Sequence, residues 1–381
     1  QPFFLSLAYL APHSGGPPDP PGVDSRCRGS AKPAARHIGA FANEPLPLPP
    51  NFNEGDATDK PASIANREYL TAQDISRARR YYRCRAESLL AVDEGVGRVI
   101  EALRASGELD NTLVIYTSDN GFFHGEHRIA EGKNRVYEEA IRVPLLMRGP
   151  GIPKGVTVDD LSINADLAPT IADAANATTD FAPDGVSLLP YAEEPRRAHG
   201  RELLIEQFSP DGEDGEPVGT EYAAVRTSKY KYVLNSTGEI ELYDLENDPY
   251  ELTNLHLNPA FAEAEAALAS RLSVLSSCVG ATCHLKPAMK QKVPRQIHKN
   301  GHRCTPAAGF LLRVFNKAQS RLVGVDFSVD GKAAGSDRTA PFKRKLPVKL
   351  LHRRVKPEVE ATAELVDGRR LTLHDKVRIC G

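Results

Sequence analysis

The chain has 381 residues, of which 41% are hydrophobic and 26% are charged, and its formal net charge is −2. These values are ordinary for a globular protein, and the length allows two or three domains with a substantial core. No apolar run approaches the length of a membrane span, and the start lacks the basic-then-apolar layout of a signal peptide.

The charge is distributed unevenly along the chain. Residues 281–381 hold 22 Lys and Arg against 8 Asp and Glu, whereas the remainder holds 26 basic and 42 acidic residues. This asymmetry indicates separate modules, and the basic one is suited to a polyanion such as a sulfated glycan, nucleic acid or an acidic surface. The alternative is a solvated face on a small basic domain, and of these partners nucleic acid is the least favoured.

The first residues predict a buried strand over 1–9, followed by Ala11-Pro12-His13. Because a domain rarely begins in mid-core, we expect the natural N-terminus to lie upstream of Gln1. His13 would sit at a strand end, on the same edge as Asp119 if their strands are parallel. Residues 14–61 are rich in Pro and Gly and predict a long loop.

A helix is predicted over 71–105, with Thr71 or Asp74 as its cap and Gly107 after its end. A strand over 109–117 follows and completes a helix-to-strand unit of an α/β fold. Further along we predict a strand over 142–147, a helix over 162–175, strands over 202–208 and 221–227, a hairpin over 231–244 and a helix over 259–276. Short β-type runs with Asp-Gly turns follow residue 306 and predict a small β-sandwich.

A polar cluster follows the strand that ends at Thr117. Asp119 and Asn120 offer the oxygen ligands that Ca²⁺ or Mg²⁺ prefers, and Gly121 allows the backbone to turn. Four cations or proton carriers come within the next thirteen residues, namely His124, His127, Arg128 and Lys133. A hard cation beside positive side chains suits a sulfate or phosphate ester. Taken alone, the tetrapeptide Ser118-Asp119-Asn120-Gly121 favours an ordinary turn.

The longer pattern SDNGFFHGEHRIAEGKNRVYEEAIRVPLLMRGPGIPKG resembles the second signature region of the sulfatase family, and the resemblance continues through DLAPT and ELYDLENDPYELTNL, over residues 2–272. It implies a Ca²⁺ site completed by Asp119 and Asn120, with Mg²⁺ less favoured. It implies that Lys133 contacts the substrate's sulfate, and that His13 contacts the sulfate or donates a proton to the leaving oxygen. A histidine side chain titrates near neutral pH, which makes either role accessible. His124, His127 and Arg128 are candidates for the substrate pocket.

The resemblance implies an α/β, alkaline-phosphatase-like sandwich over 1–200, incomplete at its N-terminus, and a small antiparallel α+β subdomain over 201–279. A basic linker over 280–303 and a β module over 304–381 complete the expected organisation. The Val-Asp-Gly steps of the β module resemble those of bacterial immunoglobulin-like modules.

The six cysteines fall into three sequence pairs, Cys27 with Cys84, Cys278 with Cys283, and Cys304 with Cys380. This is one of about 15 possible connectivities. Disulfides favour an extracellular or otherwise exported protein, and six free thiols are the alternative.

Two expected parts of a sulfatase site do not occur in these 381 residues. These are the C-x-P-x-R type signature that yields the formylglycine nucleophile, and the pair of Asp metal ligands near the first strand, and we expect both upstream of Gln1. We therefore expect a sulfuric ester hydrolase acting on a sulfated sugar or an aryl sulfate, and we expect residues 1–381 alone to be inactive. The alternatives are a phosphatase or phosphonate hydrolase of the same superfamily and a non-catalytic protein that binds an anionic glycan.

Overall fold

The computed structural model of the chain describes residues 2–15, 25–208, 220–284, 286–299, 302–316, 321–352, 354 and 356–380. It divides into two compact units, one of Gln1–Gly151 with Tyr250–Leu252 and one of Ile152–Pro249 with Thr253–Gly381. Among the described helices, none combines the length and apolar character that crossing a membrane requires.

The first unit is built around one long helix and a two-stranded antiparallel sheet. Its elements are α1 (Ala62–Ala65), α2 (Ala72–Ala105), β1 (Val114–Thr117), α3 (Glu138–Ile141) and β2 (Leu145–Arg148), with short 3₁₀ turns at Ser25–Cys27, Ala35–His37 and Leu109–Asn111. The predicted strand over 109–117 is therefore confirmed only at its C-terminal half. In the sheet, Val114 lies opposite Arg148 and Thr117 opposite Leu145.

Helix α2 matches its sequence prediction at both ends. Thr71 and Asp74 form a capping box, in which the Thr71 hydroxyl accepts from the Asp74 N–H and the Asp74 carboxylate accepts from the Thr71 N–H. The buried face of α2 carries an acid that no hydrophobic pattern predicts, since Glu87 is 0% exposed. Its carboxylate accepts from the Arg26 guanidinium at 2.5 Å and from the Gly39 N–H at 3.0 Å. The Pro- and Gly-rich loop is thus fixed to the helix through Glu87.

The strand predicted over 1–9 is wrong for the part of it that the structure describes, residues 2–9, which form no strand. The apolar side chains there stay largely in solvent, with Phe3 62% and Phe4 70% exposed. A strand requires hydrogen-bonded neighbours, and none of the described strands pairs with this segment. Tyr9 does pack on α2, because a Cβ at Gly95 would lie 2.1 Å from the Tyr9 hydroxyl.

The second unit begins with α4 (Leu167–Ala174), preceded by a 3₁₀ turn, and α5 (Leu189–Glu193). A four-stranded antiparallel sheet in the order β3-β4-β5-β6 follows, with strands Glu202–Phe208, Thr220–Thr227, Tyr230–Asn235 and Ile240–Asp244. Helix α6 (Ala262–Leu275) buries Leu268, Leu272 and Leu275 in a shared core with this sheet. The helices, strands and hairpin predicted over 162–276 are all confirmed.

The rest of this unit is mainly a β-sandwich. One sheet has the order β13-β10-β7 and the other the order β12-β11-β14-β15, and a separate pair joins β8 to β9. The elements are β7 (Met289–Lys292), β8 (Ile297–Lys299), β9 (His302–Cys304), β10 (Leu311–Asn316), β11 (Leu322–Val329), β12 (Lys332–Asp337), β13 (Lys343–Lys345), α7 (Val348–Leu351), β14 (Glu358–Leu365) and β15 (Arg370–Lys376).

The two larger sheets of the sandwich share one apolar core. Leu312 and Val314 of β10 pack there with Phe327 of β11 and Ala361 of β14, all of them 5% exposed or less. The segment predicted as a linker, residues 280–303, contains β7, which pairs with β10 in the three-stranded sheet. The Met289 side chain of β7 packs in the core of the sandwich. The sandwich prediction is therefore confirmed as an architecture, and the immunoglobulin-like assignment and the domain boundaries stay predictions.

All three predicted cysteine pairs are disulfides in the structure, Cys27–Cys84, Cys278–Cys283 and Cys304–Cys380. The first joins the Pro- and Gly-rich loop to α2. The third closes a loop that contains the sandwich strands β10 to β15, since Cys304 ends β9 and Cys380 follows β15. A disulfide constrains the unfolded chain more strongly when the loop that it closes is longer.

Candidate active site

The polar residues that follow β1 are held by a loop that folds back on itself. The Phe123 N–H donates to the Gly132 carbonyl at 2.9 Å, and the Gly121 N–H donates to the Ala140 carbonyl at 2.8 Å. Gly121 is required by space, because a Cβ there would lie 2.0 Å from the Glu139 carbonyl oxygen. The fold-back brings together residues that are thirteen positions apart in the sequence.

The two candidate metal ligands and the candidate sulfate-binding lysine meet at this loop. Lys133 Nζ donates to Asn120 Oδ1 at 2.9 Å, and the Asn120 N–H donates to Asp119 Oδ1 at 2.9 Å. Asp119 is exposed, whereas Asn120 and Lys133 are half-buried. A carboxylate, an amide oxygen and an ammonium group therefore lie in one small region of the first unit.

The oxygens of Asp119 and Asn120 fit a hard cation by their chemistry. Carboxylate and amide oxygens are the ligands that Ca²⁺ takes in proteins, normally about six to eight of them. These two residues can supply part of that number, and one lone pair of Asn120 Oδ1 already accepts from Lys133. The pair is therefore a partial calcium site by ligand type.

His13 lies at the end of the exposed N-terminal segment. Its Nδ1 donates to the Ser14 carbonyl at 2.5 Å, so that Nε2 is the ring nitrogen left to contact a ligand. Among the described residues, no hydrogen bond or ion pair joins His13 to the 119–133 loop. The structure thus links Asp119, Asn120 and Lys133 by hydrogen bonds, and His13 is not part of that network.

His124 is held neutral at physiological pH by its surroundings. Burial first, and the nearby Arg85 charge second, lower its pKa to about 4. Arg85 Nη1 donates to His124 Nδ1 at 3.3 Å, which places the proton of the neutral ring on Nε2. The Arg85 guanidinium also lies 4.0 Å from the centre of the Phe122 ring. His124 is therefore a neutral side chain beside a fixed cation.

The side-chain nitrogens of His127 and Arg128 hydrogen-bond to other groups of the protein. His127 is 0% exposed, with Nδ1 donating to Glu54 Oε2 at 2.7 Å and Nε2 accepting from the Asn51 amide at 3.0 Å. Arg128 donates to the carbonyl oxygens of Glu54 at 2.8 Å, Arg67 at 3.0 Å and Gly55 at 2.9 Å. Both side chains thus connect the 119–133 loop to residues 51–67. The sequence pattern does not predict this connection.

A second group of potential metal ligands surrounds His127. One ligand atom from each of His127, Glu139 and Glu251 lies within 4.8 Å of the others. The Asn51 amide donates to both His127 Nε2 and Glu139 Oε1, the latter at 2.7 Å, and the Glu138 N–H donates to Glu251 Oε2 at 2.8 Å. Both ring nitrogens of His127 are thus engaged, so this group is better described as a buried hydrogen-bond network.

Comparison with known proteins tests the resemblance to the sulfatase family independently of the site geometry. The model of the family described as Sulfatase matches residues 1–177, and that described as N-sulphoglucosamine sulphohydrolase, C-terminal, matches residues 125–277. Together they cover most of the chain. The chain belongs to the sulfatase family.

Individual relatives agree with this sulfatase assignment. The chain is 33% identical over 316 residues to an arylsulfatase from Volvox carteri, covering 74% of this chain and 48% of the relative. It is 31% identical over 315 residues to the N-acetylglucosamine-6-sulfatase of Bos taurus, covering 74% and 53%. The chain therefore spans about half the length of these relatives.

Solved sulfatase structures confirm the fold class. A protein solved in complex with its substrate D-glucosamine-2-N,6-O-disulfate superposes with a TM-score of 0.51 at 28% identity, over 63% of this chain and 61% of that one. A 2-O GAG sulfatase gives a TM-score of 0.50 at 27% identity, over 60% and 51%. The predicted α/β, alkaline-phosphatase-like class is confirmed, and so is the extent of the sulfatase resemblance, since the two family models end at residue 277.

The residues that support this sulfatase loop from outside it were not predicted. Asn51 and Glu54 hold His127, and Arg85 holds His124. Asn51 and Glu54 stand in the stretch NFNEG of the long loop, where nothing in the sequence distinguishes them from ordinary loop residues. Their partners lie 73 or more positions away, so the contacts follow from the fold alone.

Proposed function

We propose that this chain carries the Asp119–Lys133 part of a sulfuric ester hydrolase site that acts on a sulfated sugar. The observation that carries the proposal is the contact of 2.9 Å between Lys133 Nζ and Asn120 Oδ1. It places a fixed positive charge next to a candidate metal ligand. A tetrahedral sulfate ester, whose non-bridging oxygens carry the negative charge, matches that pairing.

In this proposal Asp119 and Asn120 hold Ca²⁺, with Mg²⁺ as the less favoured ion. A calcium ion would act as a Lewis acid toward a sulfate oxygen. Lys133 would contact a second sulfate oxygen and stabilise its charge in the ground state and in the transition state. Because Lys133 is half-buried, its charge is less screened than that of a fully exposed lysine.

His13 is assigned to the leaving oxygen of the ester. Its Nδ1–H is fixed by the Ser14 carbonyl, so the protonated ring has Nε2–H available to protonate the departing alkoxide. No C-x-P-x-R sequence occurs in residues 1–381, and the roles assigned to the described side chains are therefore binding, charge stabilisation and proton transfer.

Two comparisons support the proposed substrate class. One is named N-acetylglucosamine-6-sulfatase, and one solved structure holds a glucosamine disulfate. We infer that the ester belongs to a sulfated amino sugar, free or within a glycan. The three disulfides support an oxidising compartment, which agrees with an exported protein.

The test is an assay of the protein at its natural length on N-acetylglucosamine-6-sulfate and 4-nitrophenyl sulfate, with 4-nitrophenyl phosphate as the comparison. We expect calcium-dependent hydrolysis of the sulfate esters that is lost when a chelator is added. Preferential hydrolysis of the phosphate ester, or a requirement for two zinc ions, would reject the proposal in favour of phosphoryl chemistry.

A further inference from the structure

We propose that the outer face of the β13-β10-β7 sheet binds a linear sulfated polysaccharide. Alternation along each strand decides which side chains face outward. In β10, Leu312 and Val314 point into the core, so Leu311, Arg313 and Phe315 lie on the outer face. This face is separate from the residues of the 119–133 loop and lies in the second unit.

Strand register adds four lysines to the same outer face. Arg313 lies directly between Lys292 of β7 and Lys343 of β13, Phe315 lies opposite Lys290, and Leu311 lies opposite Lys345. Residues directly opposite each other in an antiparallel sheet share a face, with Cβ atoms about 4.5–5.5 Å apart. The outer face therefore carries five cations, Lys290, Lys292, Arg313, Lys343 and Lys345, which we call the basic face.

No acidic residue occurs in any of the three strands that form the basic face. Within the part of the chain that the structure describes, none of its five cations makes an ion pair. The carboxylate of Asp337 accepts the backbone N–H of Lys343 at 2.9 Å, at the start of β13. Like charges placed directly opposite destabilise a sheet, so an anionic ligand that spans the Lys292–Arg313–Lys343 row would relieve repulsion.

Arg344 shows that the basic face is built from selected positions. It alternates to the other side of β13, where its guanidinium donates to the Ala334 and Ser336 carbonyls at 3.3 and 3.4 Å. Among the described residues, the side chains of Lys343 and Lys345 on either side of it make no such hydrogen bond. The charge on the outer face is thus available to a ligand, whereas the charge of Arg344 serves the sandwich itself.

The shape and composition of the basic face favour a polysaccharide among polyanions. Neighbouring strands are about 4.8 Å apart and outward positions along a strand about 6.7 Å apart, so the cations form a flat grid rather than one row. Phe315 is the single aromatic side chain on it and is 46% exposed, whereas single-stranded nucleic acids are usually held by several stacked aromatic rings. The choice of sulfate as the anion rests on the proposed function.

The test uses the full chain and heparin as the sulfated polysaccharide. We compare wild type with Lys292→Gln/Arg313→Gln/Lys343→Gln, and with the matched triple Lys332→Gln/Lys356→Gln/Lys376→Gln, whose exposed lysines lie outside the three strands of the basic face. We expect the first triple to weaken heparin binding about tenfold to a hundredfold and to flatten its dependence on salt, because fewer counterions are released. The matched triple should bind within about twofold of wild type.

Three outcomes would overturn the proposal. These are no heparin binding by wild type at low salt, an equal loss in the matched triple, and binding of a DNA duplex or of phosphatidylserine vesicles as tight as that of heparin. Lys292→Arg/Lys343→Arg keeps the charge and should retain binding, which separates a charge effect from misfolding. Hydrolysis of 4-nitrophenyl sulfate by the protein at its natural length tests the proposed function separately, because a failure there leaves the heparin comparison interpretable.

Discussion

Lys133 donates a hydrogen bond of 2.9 Å to the side-chain oxygen of Asn120, across a loop that the Phe123–Gly132 hydrogen bond closes. One side chain of this pair is a cation suited to an oxyanion, and the other is a ligand suited to a hard metal. Under the proposed function, their contact would make substrate binding and metal binding properties of one loop. Changes at either residue should therefore alter catalysis before they alter folding.

Replacing the lysine tests its proposed contact with the sulfate. Lys133→Ala should lower kcat/KM for a sulfate ester about hundredfold, since a charge-assisted hydrogen bond contributes up to about 3 kcal/mol. Lys133→Arg keeps the positive charge and should recover part of this loss. The measurement is steady-state kinetics on 4-nitrophenyl sulfate with the protein at its natural length.

Lys154→Ala is the matched control for this experiment. Lys154 is exposed, and the substitution removes the same charge and the same side-chain length. It should leave kcat/KM within about twofold of wild type. Equal kinetics for Lys133→Ala and Lys154→Ala would remove Lys133 from the site.

The calcium assignment predicts a ligand-dependent change in stability. Calcium that binds only the folded protein raises the free energy of unfolding by about 2.7 kcal/mol at a concentration a hundredfold above Kd. Asp119→Ala should abolish this increase while leaving the midpoint without calcium nearly unchanged, because Asp119 is exposed and bonds only locally. Thermal unfolding over a calcium titration measures both quantities, with exposed Asp159→Ala as the control. An unaltered calcium response in Asp119→Ala would exclude this carboxylate as a ligand.

Two glycines give a matched pair of stability predictions with opposite signs. A Cβ at Gly121 would lie 2.0 Å from the Glu139 carbonyl, so Gly121→Ala must displace backbone and should destabilise the protein by about 1–3 kcal/mol. Gly97 lies inside α2, where a Cβ meets nothing within 4 Å. Gly97→Ala should stabilise the protein by about 0.5–1 kcal/mol, because alanine loses less backbone entropy in a helix. Urea unfolding of both variants measures these changes in the free energy of unfolding. A change of the same sign in both variants would contradict the prediction.

Elements with strong local signals were predictable from the sequence. The capping box of α2 and the hairpin of β5 and β6 depend on residues close together in the chain, and both form where the pattern places them. The segment 2–9 shows the limit of such patterns. Its run of apolar residues, none of them β-branched, predicts a buried strand. Strand formation, however, depends on a neighbouring strand that no local pattern specifies.

The site divides in the same way. The resemblance to the sulfatase family assigns Asn120 and Lys133 to one site in advance, and the structure brings the two side chains into contact. The surroundings of His127 could not, since Asn51 and Glu54 reach it only through the fold. Glu87 is a third case, because an acid on a helix is normally solvated, and its contacts with Arg26, Gly39 and Phe41 explain its complete burial.

His124 gives a prediction for pH. Its pKa is about 4 in the folded protein, mainly because burial disfavours the charged ring, against about 6.5 in an unfolded chain. Below pH 6.5 the unfolded state therefore binds a proton that the folded state does not, and stability falls as the pH drops from 6.5 toward 4. Once the pH is below 4, the loss from this residue amounts to about 3 kcal/mol. Burial raises the pKa of Glu126, which works in the opposite direction.

The variant His124→Gln should remove this component of the acid destabilisation. Chemical unfolding at a series of pH values between 7 and 4 measures the free energy of unfolding of wild type and variant. The two free energies should approach each other as the pH falls. Arg85→Gln should make the acid destabilisation smaller than in wild type, because the Arg85 charge is the second cause of the lowered pKa and its removal narrows the gap between the folded and unfolded pKa of His124. Parallel curves for wild type and His124→Gln over the whole range would show that His124 does not remain neutral in the fold.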